Sequence, residues 1–356
     1  MKQFAVMILI LCLLLSGCST WLDGSYHSTK PHEEQQSVSD GESVAVSSYT
    51  ALCRALGNMV ESGKESFVIS VAHYDQLAVA KDMRRAIQET LTANPIGAYA
   101  VESIDFDQGT NAGQPAVAVT VRYIHDRTEI RKIRTVSQSE EVREAIAGAL
   151  NDCESGLVLY VENYEQLDYA QWVADYAIQN PNKVMEQPQV TANVFPEEGK
   201  ERVVELKFSY QNSRDSLRIM QEQVQALFDE AIDSVAEIEN PREKYEKIFA
   251  FLMERLEEYQ QETSLTPAYS LLLHGVGDTK AFAAVYSAIC RSAKLECVVV
   301  TGTHSGEPWY WNIVCCDGVY YHVDLLKCKQ LGRFMLETDG NMGGYVWDYS
   351  AYPACG

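Results

Sequence analysis

The residues best equipped for chemistry lie between Gly275 and Asp324. Asp278 and Thr279 stand where an apolar helical pattern begins, and the free N–H groups of a helix start are suited to holding an anion such as a thiolate. Thr279 has no comparable acidity, and the plain role of this pair is to cap the helix. Cys290 falls about three turns into the same pattern, which points it along the helix and away from its start. His304 precedes a hairpin and His322 lies within it, so each offers an imidazole for proton transfer, although a hydrogen-bonded structural histidine fits both places. Asp324 closes the second hairpin strand, where a carboxylate could orient a base.

The elements around these residues can be read from their spacing. Phe282, Val285, Tyr286, Ile289 and Ala293 make one face of a helix, and Val298 to Val300 make a strand. Asp317-Gly318 is a strong two-residue hairpin signal. With those two at the centre of the turn, Cys316 pairs with Val319, Ile313 with His322 and Trp311 with Asp324. Trp309 shares a face with Trp311, so Asp324 lies diagonally beside Trp309. Upstream, Asn240-Pro241 opens a helix whose Tyr245, Ile248, Phe249, Leu252 and Leu256 form a packing stripe.

The stretch GVGDTKAFAAVYSAICRSAKLECVVVTG, followed by Trp309-Tyr310-Trp311-Asn312 and Asp324, resembles the transglutaminase-like cysteine peptidase superfamily. The resemblance runs from about Glu243 to Cys355. It implies an α+β domain in which a Cys at a helix start, a His on one strand and an Asp on the next form the catalytic triad. In this chain Thr279 falls at the Cys position and Trp309 at the His position, while Trp311, Asn312 and Asp324 match. The resemblance therefore implies a degenerate, non-catalytic site. Its binding groove would lie among Asp278, Thr279, Trp309, Tyr310, Trp311, Asn312 and Asp324, and would hold a peptide, a cell-wall fragment or a protein partner. The alternative is an active peptidase or acyltransferase using Thr279, His304 and Asp324. Aromatic residues further on, Tyr345, Trp347, Tyr349 and Tyr352, suit the core or the groove wall.

Before this region the chain repeats itself. SFVISVAHYDQLAVAKDMRRAI is echoed by GLVLYVENYEQLDYAQWVADYAI, Asn94-Pro95 by Asn180-Pro181, and Tyr123 by Tyr210, at offsets of 86 to 90 residues. Each copy reads helix, strand, helix, strand, strand, with strands at Ala98 to Phe106 and Ala116 to Ile124 flanking the turn-rich DQGTNAGQ in the first. The expected fold class is α+β: two small α/β sandwich units followed by the transglutaminase-like domain. Neither copy carries a phosphate loop or a nucleophile motif, which reads as a spacer or interaction role.

The first residues are Lys2, an apolar run from Phe4 to Leu15 too short to span a bilayer, and Leu15-Ser16-Gly17-Cys18. The last four resemble a bacterial lipoprotein cleavage box. That resemblance implies a signal peptide over 1–17, acyl chains on Cys18 and an anchor on the extracytoplasmic face of the cell membrane. Residues 18–45, with His27 and His32, read as the lipidated Cys and a polar tether. The units follow at 46–135, 136–238 and 239–356.

Fifty acidic residues oppose 29 basic ones, for a net charge of -21, which argues against a nucleic-acid partner. Beyond Cys12 and Cys18, the cysteines Cys53, Cys153, Cys290, Cys297, Cys315, Cys316, Cys328 and Cys355 form no C-x-x-C pair, so neither zinc nor any other metal is expected. No cofactor is called for. Most of these thiols read as buried and free, and Cys328 with Cys355 is the first pair to test as a disulfide.

Overall fold

The short edge strand Ser43–Ala45 (β1) is the first element in a computed structural model of the protein, which describes residues 43–356. The expected signal peptide, Cys18, His27 and His32 lie outside the described residues. After β1 come α1 (Tyr49–Glu61), β2 (Ser66–Ser70), α2 (Val79–Ala93), α3 (Pro95–Ala100), β3 (Val101–Asn111) and β4 (Gln114–Tyr123). A second set follows a short helical turn, α4 (Arg127–Ile130). It comprises β5 (Arg134–Val136), α5 (Ser139–Asn151), β6 (Gly156–Val161), α6 (Tyr169–Gln179), β7 (Gln189–Phe195) and β8 (Arg202–Ser209).

The two sheets have the order β1-β2-β4-β3 and β5-β6-β8-β7. In each, the first pair is parallel and the other two pairs are antiparallel. Helices cover one face, and Leu56, Ile69, Met83 and Val117 in the first set, with Ile146, Leu159, Val173 and Val204 in the second, are buried between the layers.

Several sequence expectations need correction. Each set opens with a three-residue parallel strand ahead of its first helix, so β1 falls in the segment read as tether and β5 at the end of the first unit. Such strands are too short and too exposed to show an alternating pattern. Ala98 to Ala100 belong to a helix, because Asn94 caps it by accepting the Gly97 N–H at 2.7 Å and Pro95 sits at its first position. The DQGTNAGQ stretch is mostly strand. Only Ala112 and Gly113 turn, both with positive φ (50° and 77°), the geometry of a tight hairpin.

The rest of the chain packs around one large core and a smaller one about Trp311. α7 (Arg214–Asp233) and α8 (Pro241–Arg255) bury Leu217, Val224, Phe228, Tyr245, Ile248 and Leu252. Cys153 and Met185 join the larger core from the preceding set. After β9 (Glu258–Tyr259), α9 (Pro267–His274) and β10 (Val276–Gly277) comes α10 (Thr279–Ser292), the central element of the domain. Lys280 apart, its residues from Thr279 to Cys290 are buried, so it is a helix enclosed on nearly every side.

β11 (Cys297–His304), β12 (Glu307–Cys316), β13 (Val319–Val323), α11 (Leu325–Gln330) and β14 (Tyr345–Trp347) complete the chain, with sheet order β13-β12-β11-β14. Cys316 pairs with Val319 and Ile313 with His322, the register that the Asp317-Gly318 turn dictates. His304, expected ahead of the hairpin, is instead the last residue of β11. It pairs with Glu307 across a second two-residue turn at Ser305-Gly306, where φ is 53° and 90°. Among the described residues no helix is long and apolar enough to cross a membrane.

Candidate functional site

The site is built at the start of α10, where Asp278 caps the helix by accepting the Ala281 N–H at 2.8 Å. The other Asp278 carboxylate oxygen takes the Thr263 hydroxyl. Thr279 follows, 6 % exposed, and its hydroxyl oxygen accepts the Tyr310 N–H at 3.4 Å. Asn312, fully buried, ties β12 to the helix by donating to the Ala283 carbonyl at 2.9 Å. Its Oδ1 is a buried acceptor without a donor.

Asp324 is the hub of the polar network. Its Oδ2 accepts the Trp309 indole N–H at 2.8 Å and the Tyr345 hydroxyl at 2.6 Å, while Oδ1 accepts the Lys327 N–H at 3.0 Å and so caps α11. Burial first, and then the Asp324 charge, push the Tyr345 phenol well above its ordinary value, so it remains a donor. An indole N–H is donor-only. Trp309 therefore makes the bond to Asp324 that an imidazole N–H would make, but has no lone pair with which to take a proton.

His304 does not complete an alternative triad. Its ring stacks on Tyr345 with centroids 4.2 Å apart and meets Trp309 edge-on at 5.3 Å, and no hydrogen bond joins it to Thr279 or Asp324. Cys290 is fully buried in the helix interior, where burial holds its thiol well above the usual range and unsuited to attack. The space bounded by Thr279, Phe282, Tyr310, Trp311, Asn312 and Asp324 is a small concavity without room for a water molecule.

Behind the site, Trp311 donates its indole N–H to His322 Nδ1 at 2.9 Å, and His322 Nε2 meets Asp339 Oδ1 at 2.8 Å. His322 is thus a buried imidazole with both nitrogens satisfied. His322, Asp339 and Cys355 each bring one ligand atom within 4.8 Å of the others. Because Trp311 can only donate, Nδ1 is the bare nitrogen and Nε2 carries the proton. A metal at Nε2 would require an imidazolate, which sets the chemistry of this cluster against one.

Cys328 and Cys355, the first pair to test as a disulfide, are both free thiols. Each lies in a different core cluster, and each sulfur faces a carbonyl oxygen close by in sequence, Met335 and Pro353 respectively. Burial pushes their thiols up to about 11 and about 12.

Two expected outcomes follow from this network. Asp324→Ala strands the indole, phenol and main-chain donors in a site only 5 % exposed, and should cost about 2–4 kcal/mol in urea denaturation. A cost near zero would mean that water satisfies all three donors. His322 titrates below its ordinary value, because burial outweighs the opposing Asp339 charge. The unfolded chain then binds the extra proton first, so stability is full above about pH 6.5 and falls as pH drops through that value towards the lower folded pKa. Denaturation series from pH 8 to pH 5 should show this slope, and His322→Gln should flatten it.

Sequence reasoning missed Thr263 and Tyr259. Thr263 secures the cap, and the Tyr259 ring lies 6.3 Å from Trp309. Both come from the polar stretch after α8, which has no periodicity to mark them. Tyr345 is visible in the sequence only as one of several aromatic residues.

Residues 230–325 match the model of the transglutaminase-like superfamily. Three solved structures are similar to this chain. A crystal structure of a TGase aligns at 9% identity over 60% of this chain and 61% of that chain, with a TM-score of 0.27. A cysteine protease-like protein from Cytophaga hutchinsonii aligns at 14% identity over 44% of this chain and 70% of that chain, with a TM-score of 0.26. A protease-like protein from Parabacteroides distasonis aligns at 9% identity over 63% of this chain and 36% of that chain, with a TM-score of 0.23. No curated protein matches.

Proposed function

We propose, with residues 230–325 as a transglutaminase-like domain, that this domain recognises a peptide, cell-wall or protein partner and does not turn it over. We further propose that the chain is a lipoprotein held at the extracytoplasmic face of the cell membrane by acyl chains on Cys18. The observation that carries the first reading is the indole N–H of Trp309 on Asp324 at 2.8 Å. The orienting carboxylate keeps its partner bond, but that partner cannot act as a base. Thr279, at the nucleophile position, is buried, and its hydroxyl takes the Tyr310 N–H with no hydrogen bond to an imidazole. In a triad hydrolase, loss of nucleophile and base together costs on the order of a million-fold in rate. The concavity beside Thr279 is too small for a peptide, which favours a partner held on another surface of the domain.

The test is turnover by the purified protein with glutamine donors, amines and wall peptides. No turnover above buffer is expected, and Thr279→Ala should behave as the wild type does. Turnover that Thr279→Ala abolishes would overturn the reading. For the anchor, Cys18→Ser should move the protein from the membrane to the soluble fraction, since stable attachment requires two acyl chains. A variant that stays membrane-bound would sink that part.

A further inference from the structure

We infer that the groove between α6 and α10, ending at the outer edge of β11, takes an extended acidic peptide segment of a partner protein and adds its main chain to the sheet. The inference rests on the reading of a binding domain and names the class of partner and where it is held.

The sheet edge is the first observation. β14 pairs only with Gly302, Thr303 and His304, so among the described residues β11 from Cys297 to Thr301 has no strand beyond it on that side. The Ser305 N–H reaches the Gly344 carbonyl at 2.9 Å and the Thr301 N–H reaches the Tyr352 hydroxyl at 3.1 Å, so the odd-numbered residues of β11 turn their main-chain groups outward. The Cys297 carbonyl, in the same phase, takes the Ser287 hydroxyl at 2.8 Å. Val299 lies between them in that phase, and no group among the described residues bonds its outward N–H and C=O. An unpaired donor and acceptor side by side on a sheet edge fit an extended backbone.

The groove is the second observation. A cavity of about 390 Å³ opens beside Val299, walled by Ser287, Arg291, Asp175 and Gln179. A second, of about 310 Å³, is lined by Lys280, Ala281 and Ala284 on α10 and by Pro181 and Val184 across from it. Ile178 lines both. Lys280, Ala284, Ser287 and Arg291 follow one another at helical spacing, so the two cavities run along one face of α10. The twelve residues from Lys280 to Arg291 cover about 16 Å of helix, roughly the span of five extended residues.

Charge selects the occupant. In a chain of net charge -21, neither Lys280 nor Arg291 has a carboxylate within ion-pair distance among the described residues, and they stand towards opposite ends of the groove. Asp175 is the one acidic residue in the two walls, and Arg291 also donates to the Gln179 carbonyl. A peptide with carboxylates near Lys280 matches this distribution. The small Ala281 and Ala284 leave room for its chain.

The test is selection of a displayed library of random heptapeptides on the full chain. Enriched sequences should carry Asp or Glu. Synthesised with capped ends, they should bind saturably and lose roughly tenfold in affinity, the worth of one or two main-chain hydrogen bonds, when alternate peptide nitrogens are methylated. Val299→Pro removes only an outward N–H, which an edge strand tolerates, and should cause a similar loss, as should Lys280→Met. Should Val299→Pro fail to fold, the methylated peptides test the wild-type chain directly. Absence of enrichment, or binding indifferent to methylation and to both substitutions, overturns the inference. Turnover of a selected peptide would overturn the non-catalytic reading instead, so the two failures are distinct.

Discussion

Trp311→Ala is expected to lower the unfolding free energy by about 3–5 kcal/mol, the range for emptying a buried aromatic site. Trp311 is 1 % exposed and meets Tyr345 and Trp347 edge-on, with centroids 5.3 and 5.7 Å away. Its ring also lies close over β11, where a Cβ at Gly302 would come within 2.8 Å of the indole. The neighbours are held by strands on both sides and cannot collapse into the space. Trp311→Phe keeps most of the ring but leaves His322 Nδ1 without its donor, which should cost about 1–3 kcal/mol. Urea denaturation followed by far-ultraviolet circular dichroism measures both. Equal losses would show that the hydrogen bond outweighs the packing.

Thr279→Cys combined with Trp309→His should create a reactive thiol where the wild-type protein has none. The new thiol would stand at the start of α10, where helix N–H groups favour a thiolate, and the imidazole could donate to Asp324 while its other nitrogen faces the sulfur. In the single variant Thr279→Cys the thiol sits in a closed site without a base. Alkylation by iodoacetamide at pH 6.5 should therefore be faster in the double variant than in Thr279→Cys by on the order of 10–100-fold, as expected when an ion pair lowers a thiol pKa by one to two units. A crystal structure should place the sulfur and the imidazole within hydrogen-bond reach. A double variant no faster than the single one would show that Thr279 and Trp309 are not the two triad positions.

What could be read from the sequence depended on how local its cause was. The start of α10 and the β12–β13 register were legible because Asp278 and Asp317-Gly318 act on their immediate neighbours. The closeness of Asp324 to Trp309 followed from that register. The other partners of this pair were not legible, since Tyr345 on Asp324 and Tyr259 beside Trp309 come from segments without hydrophobic period. The two edge strands, β1 and β5, were hidden for a related reason. They are held by a partner strand and not by any preference of their own three residues.

The order β13-β12-β11 also bears on how this sheet assembles. Each strand pairs with the next one in sequence across a two-residue turn, so little chain entropy is lost as each hairpin zips. Asp324 meets Trp309 from 15 residues away, within that run of hairpins. Tyr345 must come back across 21 residues by way of α11 and the loop after it. The indole is thus the partner that closes the smaller loop with the carboxylate, and the phenol the one that closes the larger.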